Sequence, residues 1–266
     1  MPAPGGITLA VHADTGRLAP SRRARTEPAL ERIIAEVAQG AEFALPGPLC
    51  GPVFHHADQD GVAARVLMAM MWIASDTLKR GNEVAFQAPL SDLRHAAGLT
   101  RHNGNPPVRR ALNLLEGEKC IFPDGEAMPV FRSLRIVRYK DLDLAEWEFG
   151  HDLSALFDHP ARFSILSIRD MADLVKGIDI FLYREAMLVK NMRRPKFQLP
   201  AVDLHRVCGI GGDRPFKRVV ERIRRSIGRV EKAAGIKVAV EPIQERGSRC
   251  LAGLSFTVAS DKETPA

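Results

Sequence analysis

The chain has 266 residues, 45% of them hydrophobic and 26% charged, with a formal net charge of +6 and a pI near 9.3. That composition excludes an intrinsically disordered or fibrous protein and suits two small domains. From Pro195 to Arg249 there are 13 Lys and Arg against 6 Asp and Glu, a local balance of +7 that exceeds the whole chain's, so the rest is nearly neutral. A localised excess of this kind reads as an electrostatic footprint for a polyanion.

No run approaches 18 apolar residues, and Met1 to Pro20 lacks the charge-then-apolar order of a secretory signal. The four cysteines, Cys50, Cys120, Cys208 and Cys250, form no CxxC pair and have no His at ligand spacing. The expectation is a cytoplasmic protein with reduced thiols and no zinc module.

Residues 1–28 are rich in Pro, Gly, Ala and Arg without an apolar period, which predicts a flexible arm. A short helix is predicted over Pro28–Gln39, with Leu30, Ile33, Ile34 and Val37 on one face. Pro46, Pro48 and Pro52 then read as a loop. Gly61–Arg80 is apolar enough for a core helix, and Glu83–Ala88 reads as a strand. A short helix follows at Asp92–Ala97, closed by Gly98. A loop at Thr100–Pro106 leads into a helix over Pro107–Gly117. Two strands are expected at Met128–Tyr139 and Glu146–Phe149, after a turn at Pro123-Asp124-Gly125. The order helix, strand, helix, turn, helix, hairpin is that of a winged helix, a helix-turn-helix completed by a small sheet.

The same order then recurs. One long helix is predicted over Asp170–Asn191, a strand at Phe197–Leu199, and a short helix at Val202–Val207. A long helix follows over Arg214–Ala234, then a hairpin of Ile236–Val240 and Cys250–Val258 around the polar loop Glu245–Ser248. The predicted fold class is α+β, two tandem winged-helix domains. The division is an arm at 1–28, a first domain at 29–150, a second at 151–260 and a tail at 261–266.

The helix from Arg214 carries the functional reading. At 100° per residue, Phe216, Val219, Val220, Ile223, Ile227 and Val230 fall within about 100° of arc, a stripe that docks on a core. Lys217, Arg218, Arg222, Arg224, Arg225, Arg229 and Lys232 lie on the other side, with Arg218, Arg225 and Arg229 near its centre. Only Glu221 and Glu231 relieve these seven. A merely solvated face mixes signs, because i,i+4 pairs of opposite charge support a helix. A membrane-surface helix needs an exposed aromatic or leucine edge, absent from this face.

A helix fits the major groove, where Arg pairs bidentately with guanine. The N-terminal part of the second helix of a helix-turn-helix meets base edges. That assigns Lys217, Arg218, Glu221, Arg222 and Arg225 to bases, and Arg224, Arg229 and Lys232 to the DNA backbone. Arg246 and Arg249 in the hairpin loop are candidate wing contacts. The first domain offers Arg101 and Asn103 in its loop, Arg109 and Arg110 on its second helix, and Arg132, Arg135, Arg138 and Lys140 on its hairpin. Strand alternation puts Arg132 and Arg138 on one face and Arg135 opposite. This set is read as an auxiliary DNA contact or, equally, as part of a dimerisation module.

Phe163–Val258 resembles the initiator proteins of iteron-containing, theta-replicating plasmids. The likeness rests on Ile180-Phe181-Leu182-Tyr183, Phe197-Gln198-Leu199, Val202 to Ile210, Phe216-Lys217-Arg218-Val219-Val220, and the strand Leu254-Ser255-Phe256-Thr257-Val258. Arg206 matches the family's Arg in its Leu-Arg pair, displaced by one His; Asp213-Arg214-Pro215-Phe216 departs from the family's usual lead-in. The resemblance implies binding to repeated origin sequences, origin opening, recruitment of the host replicative helicase, and a homodimer that represses alongside a monomer that initiates. A winged-helix transcriptional repressor on an operator is the alternative.

Enzyme signals are weak. His55-His56-Ala57-Asp58-Gln59-Asp60 gathers metal-ligating types, but adjacent side chains point apart in regular structure. Gly209-Ile210-Gly211-Gly212 lacks the phosphate-loop and dinucleotide-binding contexts. A nicking enzyme needs a nucleophilic Tyr beside a His-rich cluster, and Tyr139 and Tyr183 have none nearby in sequence. The expectation is a non-enzyme with no catalytic residues, cofactor or metal.

Overall fold

In the computed structural model, the described residues are 35–78, 85–99, 104–122, 124–158, 162–208, 216–244 and 251–260. The predicted arm and tail, most of the first helix, Arg101, Asn103, Arg246 and Arg249 lie outside them.

The first unit runs β1 (Glu42–Pro46), a 3-10 turn (Gly47–Leu49), α1 (Gly61–Leu78), β2 (Phe86–Pro89), α2 (Leu90–Ala96) and α3 (Pro106–Leu115). It continues with β3 (Lys119–Ile121), β4 (Ala127–Pro129), β5 (Phe131–Tyr139) and β6 (Leu142–Phe149). After α4 (His151–Asp158), the second unit runs β7 (Phe163–Ser167), α5 (Ile168–Ala172), α6 (Gly177–Val189), β8 (Lys196–Pro200), α7 (Ala201–Cys208), α8 (Phe216–Ala234), β9 (Ile236–Gln244) and β10 (Leu251–Ser260).

Each unit is a helix-turn-helix packed on a three-stranded antiparallel sheet of one topology. The order is β2-β6-β5 in the first and β8-β10-β9 in the second, so the leading strand lies beside the last one. Aromatic pairs fix the register on the inner faces. Phe86 lies opposite Trp147, ring centroids 5.6 Å apart, and Phe197 opposite Phe256 at 4.6 Å. The chain is a pair of tandem winged helices, and the first carries an added β3–β4 hairpin that its sequence pattern did not announce.

Two other elements differ from expectation. The apolar run 170–191 is two helices, α5 and α6. The Arg65 guanidinium donates to the Ala172 carbonyl, which a continuous helix would have used itself. Asp179 accepts from the Lys176 amide and so starts a new helix at Gly177. The stretch with Pro46 holds the strand β1, which pairs with β7 from Glu42 opposite Ser167 to Pro46 opposite Phe163. Proline suits a strand end.

This β1–β7 pair joins the two units, and one apolar core runs through both. Gly61 and Gly177 are the first residues of the long helices α1 and α6. A Cβ on Gly61 would lie 1.9 Å from the Val175 carbonyl oxygen, and one on Gly177 2.5 Å from that of Asp58. Each long helix thus starts against the lead-in of the other. Between them, wholly buried Arg184 of α6 pairs with buried Asp58, donates to the Gly51 carbonyl at 3.1 Å and covers the Phe54 ring. Burial pushes Asp58 up, and Arg184 opposes that shift.

Candidate nucleic-acid interface

The interface is built on α7 and α8. Buried Leu204, Val207 and Cys208 seat α7, and buried Val219, Ile223, Ser226, Ile227 and Val230 seat α8. Gly235, at φ 59°, ends α8 in the left-handed conformation that glycine accepts most readily, with its N–H on the Glu231 carbonyl.

The opposite face of α8 exposes Lys217, Arg218, Glu221, Arg224, Arg225, Gly228 and Lys232. Five cations thus share the face with one carboxylate. Glu221 lies three or four residues from Lys217, Arg218, Arg224 and Arg225, so a single carboxylate serves four of the five cations. Glu231 does not relieve the face, since its carboxylate accepts the Val238 amide of β9 at 2.9 Å. Beside the helix, Val220, Val240, Pro242 and Leu254 line a shallow apolar groove, with Lys217 and Arg224 at its rim.

Two arginines expected on this face belong elsewhere. Arg229 turns toward α6 and grips Asp179 with two hydrogen bonds, Nε to Oδ2 at 2.8 Å and Nη2 to Oδ1 at 2.7 Å. The Asp179 side chain is wholly buried, so this is a structural pair, and the bond holds the guanidinium in its charged form. The helical wheel could not show it, because the acid lies 50 residues upstream. Arg222 is half-buried, and its Nε is enclosed without a hydrogen-bond partner among the described residues.

The first unit spends part of its charge internally, while Arg138 and Lys140 stay exposed. Arg109 of α3 pairs with Asp143 of β6, while Arg110 stays exposed. Arg132 pairs with Glu148 at 3.0 Å and Arg135 with Glu146 at 2.7 Å, and Gln87 also donates to Glu146. Arg132 and Arg135 therefore share a face, against the expectation from alternation. The bulge between Phe131 and Ser133 shifts the register by one.

Sequence reasoning missed Asp179 and Gly228. A carboxylate set among the apolar residues of 177–183 was the available signal for the first. A glycine inside a charged helix was the signal for the second. Among the described residues no group of three His, Cys, Asp or Glu could hold a metal, and no helix is long and apolar enough to cross a membrane.

Fold and site together define a tandem winged-helix protein whose second unit presents a basic helix. No protein-family model and no curated protein sequence matches the chain. Among solved structures it is similar to the Pi initiator protein in complex with iteron DNA, with a TM-score of 0.57 and 15% identity, over 84% of this chain and 98% of that one. Domains 2 and 3 of RctB match with a TM-score of 0.43 and 11% identity, over 76% of this chain and 82% of that one. The likeness to Pi shows that the two share a fold through both winged helices.

Proposed function

We propose that this chain is a replication initiator that binds double-stranded DNA repeats at a plasmid origin and helps to open it, with α8 as its main reading helix. The carrying observation is the outer face of α8, where five cations face solvent with one carboxylate among them, on the second helix of a helix-turn-helix. Like charges along a helix are mutually destabilising, and phosphates relieve them. The fold shared with Pi, whose structure holds iteron DNA, supports repeats as the target.

Lys217, Arg218, Glu221 and Arg225 then meet base edges, while Arg224 and Lys232 hold phosphates. The first unit, with Arg109, Arg132 and Arg135 already paired, makes at most an auxiliary contact through Arg110 and its neighbours, or joins two copies of the chain. Recruitment of a host helicase and repression as a homodimer belong to the same reading, and no catalytic step is assigned to the chain. Footprinting on the DNA beside the gene tests it. Protection of tandem direct repeats is expected, and a single protected inverted repeat indicates a repressor instead. Binding weakens steeply with salt if phosphates supply the affinity.

A further inference from the structure

Gly228 stands on the outer face of α8, and nothing among the described residues calls for it. A Cβ there meets no atom within 4 Å, so no close packing requires glycine. It is not among the described glycines with positive φ. Glycine inside a helix costs stability relative to alanine. Its row is Glu221, Arg225, Gly228 and Lys232, directly opposite the buried row Val219, Ile223, Ser226 and Val230. Arg224, one turn earlier, borders it as well. The result is a gap in the side-chain cover of the helix, ringed by three cations.

Glycine at such a point lets another backbone approach closely, and the surrounding charge makes that backbone anionic. Gly228 lies about 18 Å along the helix from Phe216, at 1.5 Å per residue. The major groove is only about 12 Å wide. A helix that enters the groove by its N-terminal end has therefore reached the groove's edge by Gly228. We infer that the sugar–phosphate strand bordering the groove crosses α8 at Gly228, with Arg224 and Lys232 holding phosphates on either side. Gly228 is thus a positioning residue that sets how deep the helix lies. This rests on α8 being the reading helix, as proposed above.

The test uses the full chain with Gly228→Ala and Gly228→Leu. Both place a good helix former at an exposed site, so Tm is held or rises by about 2 °C. Binding is followed by fluorescence anisotropy against salt on two duplexes, one enriched from a random library with the wild-type protein and one of mixed sequence. Gly228→Leu is expected to weaken both by about tenfold or more. The slope of log K against log salt is expected to flatten by about two, near one for each phosphate no longer neutralised. Gly228→Ala falls between. Wild-type binding of both duplexes by Gly228→Leu overturns the inference. So does a loss confined to the enriched duplex, which would put a base edge at Gly228. Failure of the wild-type protein to bind either duplex is a separate result, and it removes the DNA reading itself.

Discussion

Arg229 was legible as a DNA contact and is built as a structural one, so its truncation separates the two roles. Arg229→Met removes a guanidinium that makes both Nε and Nη2 bonds to a carboxylate with no solvent exposure. Breaking a buried pair from one side costs about 3–5 kcal/mol, because the remaining charge stays buried alone. Here the Arg229 side chain is 33% exposed, and Asp179 keeps its bond from the Lys176 amide. Both facts reduce the cost to about 2–3 kcal/mol. For a chain of this size that lowers Tm by roughly 5–10 °C. Thermal unfolding by circular dichroism measures it. Well below the transition, the variant is expected to bind DNA within about threefold of wild type, a difference under 1 kcal/mol. The double variant Asp179→Asn with Arg229→Met, which removes the buried charge together with its partner, is expected to recover most of the loss. An Arg229→Met protein that melts like wild type and no longer binds DNA would refute the assignment.

Arg218→Ala and Arg225→Ala are expected to do the reverse, leaving the melting curve in place while each weakens binding to an enriched duplex about tenfold or more by anisotropy. Gly61→Ala and Gly177→Ala force a Cβ against backbone carbonyls that lie 1.9 and 2.5 Å away. Each should lower stability by at least about 1–3 kcal/mol in urea titration, and an unchanged midpoint counts against the tight joint between the units. Asp92, buried beside Ser91, has its carboxyl pushed by burial from 3.8 up to about 6. A raised acid favours the protonated folded form, so its penalty is absent below about pH 4, grows through about pH 6 and is complete above it. Asp92→Asn, which can still accept from Ser91, is therefore expected to stabilise the protein above pH 6 and to give no gain at pH 4, as read from urea midpoints.

Much of the fold was legible because winged-helix elements are local. The 3.6-residue period of Val219, Ile223, Ile227 and Val230 defines α8, and the period of two around Phe197 and Phe256 defines its sheet. What escaped was long-range. Pro46 looks like a loop residue until β7, more than a hundred residues away, supplies a partner for β1. The run 170–191 looks like one helix until Arg65 takes the Ala172 carbonyl. The site followed the same rule. Lys217, Arg218, Arg224, Arg225 and Lys232 are exposed as their spacing demands, whereas Arg229 and Arg109 were misread because Asp179 and Asp143 reach them only through tertiary structure.

The two winged helices share a topology, yet differ in what their basic groups do. In the first, Asp143, Glu146 and Glu148 lie on one strand and neutralise arginines of α3 and β5. In the second, β10 carries no Asp or Glu among its described residues, and five cations of α8 are left to solvent. Sequence divergence on one strand of a common frame is thus enough to pair Arg109 of one helix while leaving most cations of the other exposed. The helix α6 ties the two together. Its Arg184 is bonded into the lead-in of α1 through Asp58 and Gly51, and its Asp179, five residues earlier, holds Arg229 of α8. Because both groups are buried and sit on one rigid element, the placement of α8 is set against the first unit as well as its own sheet.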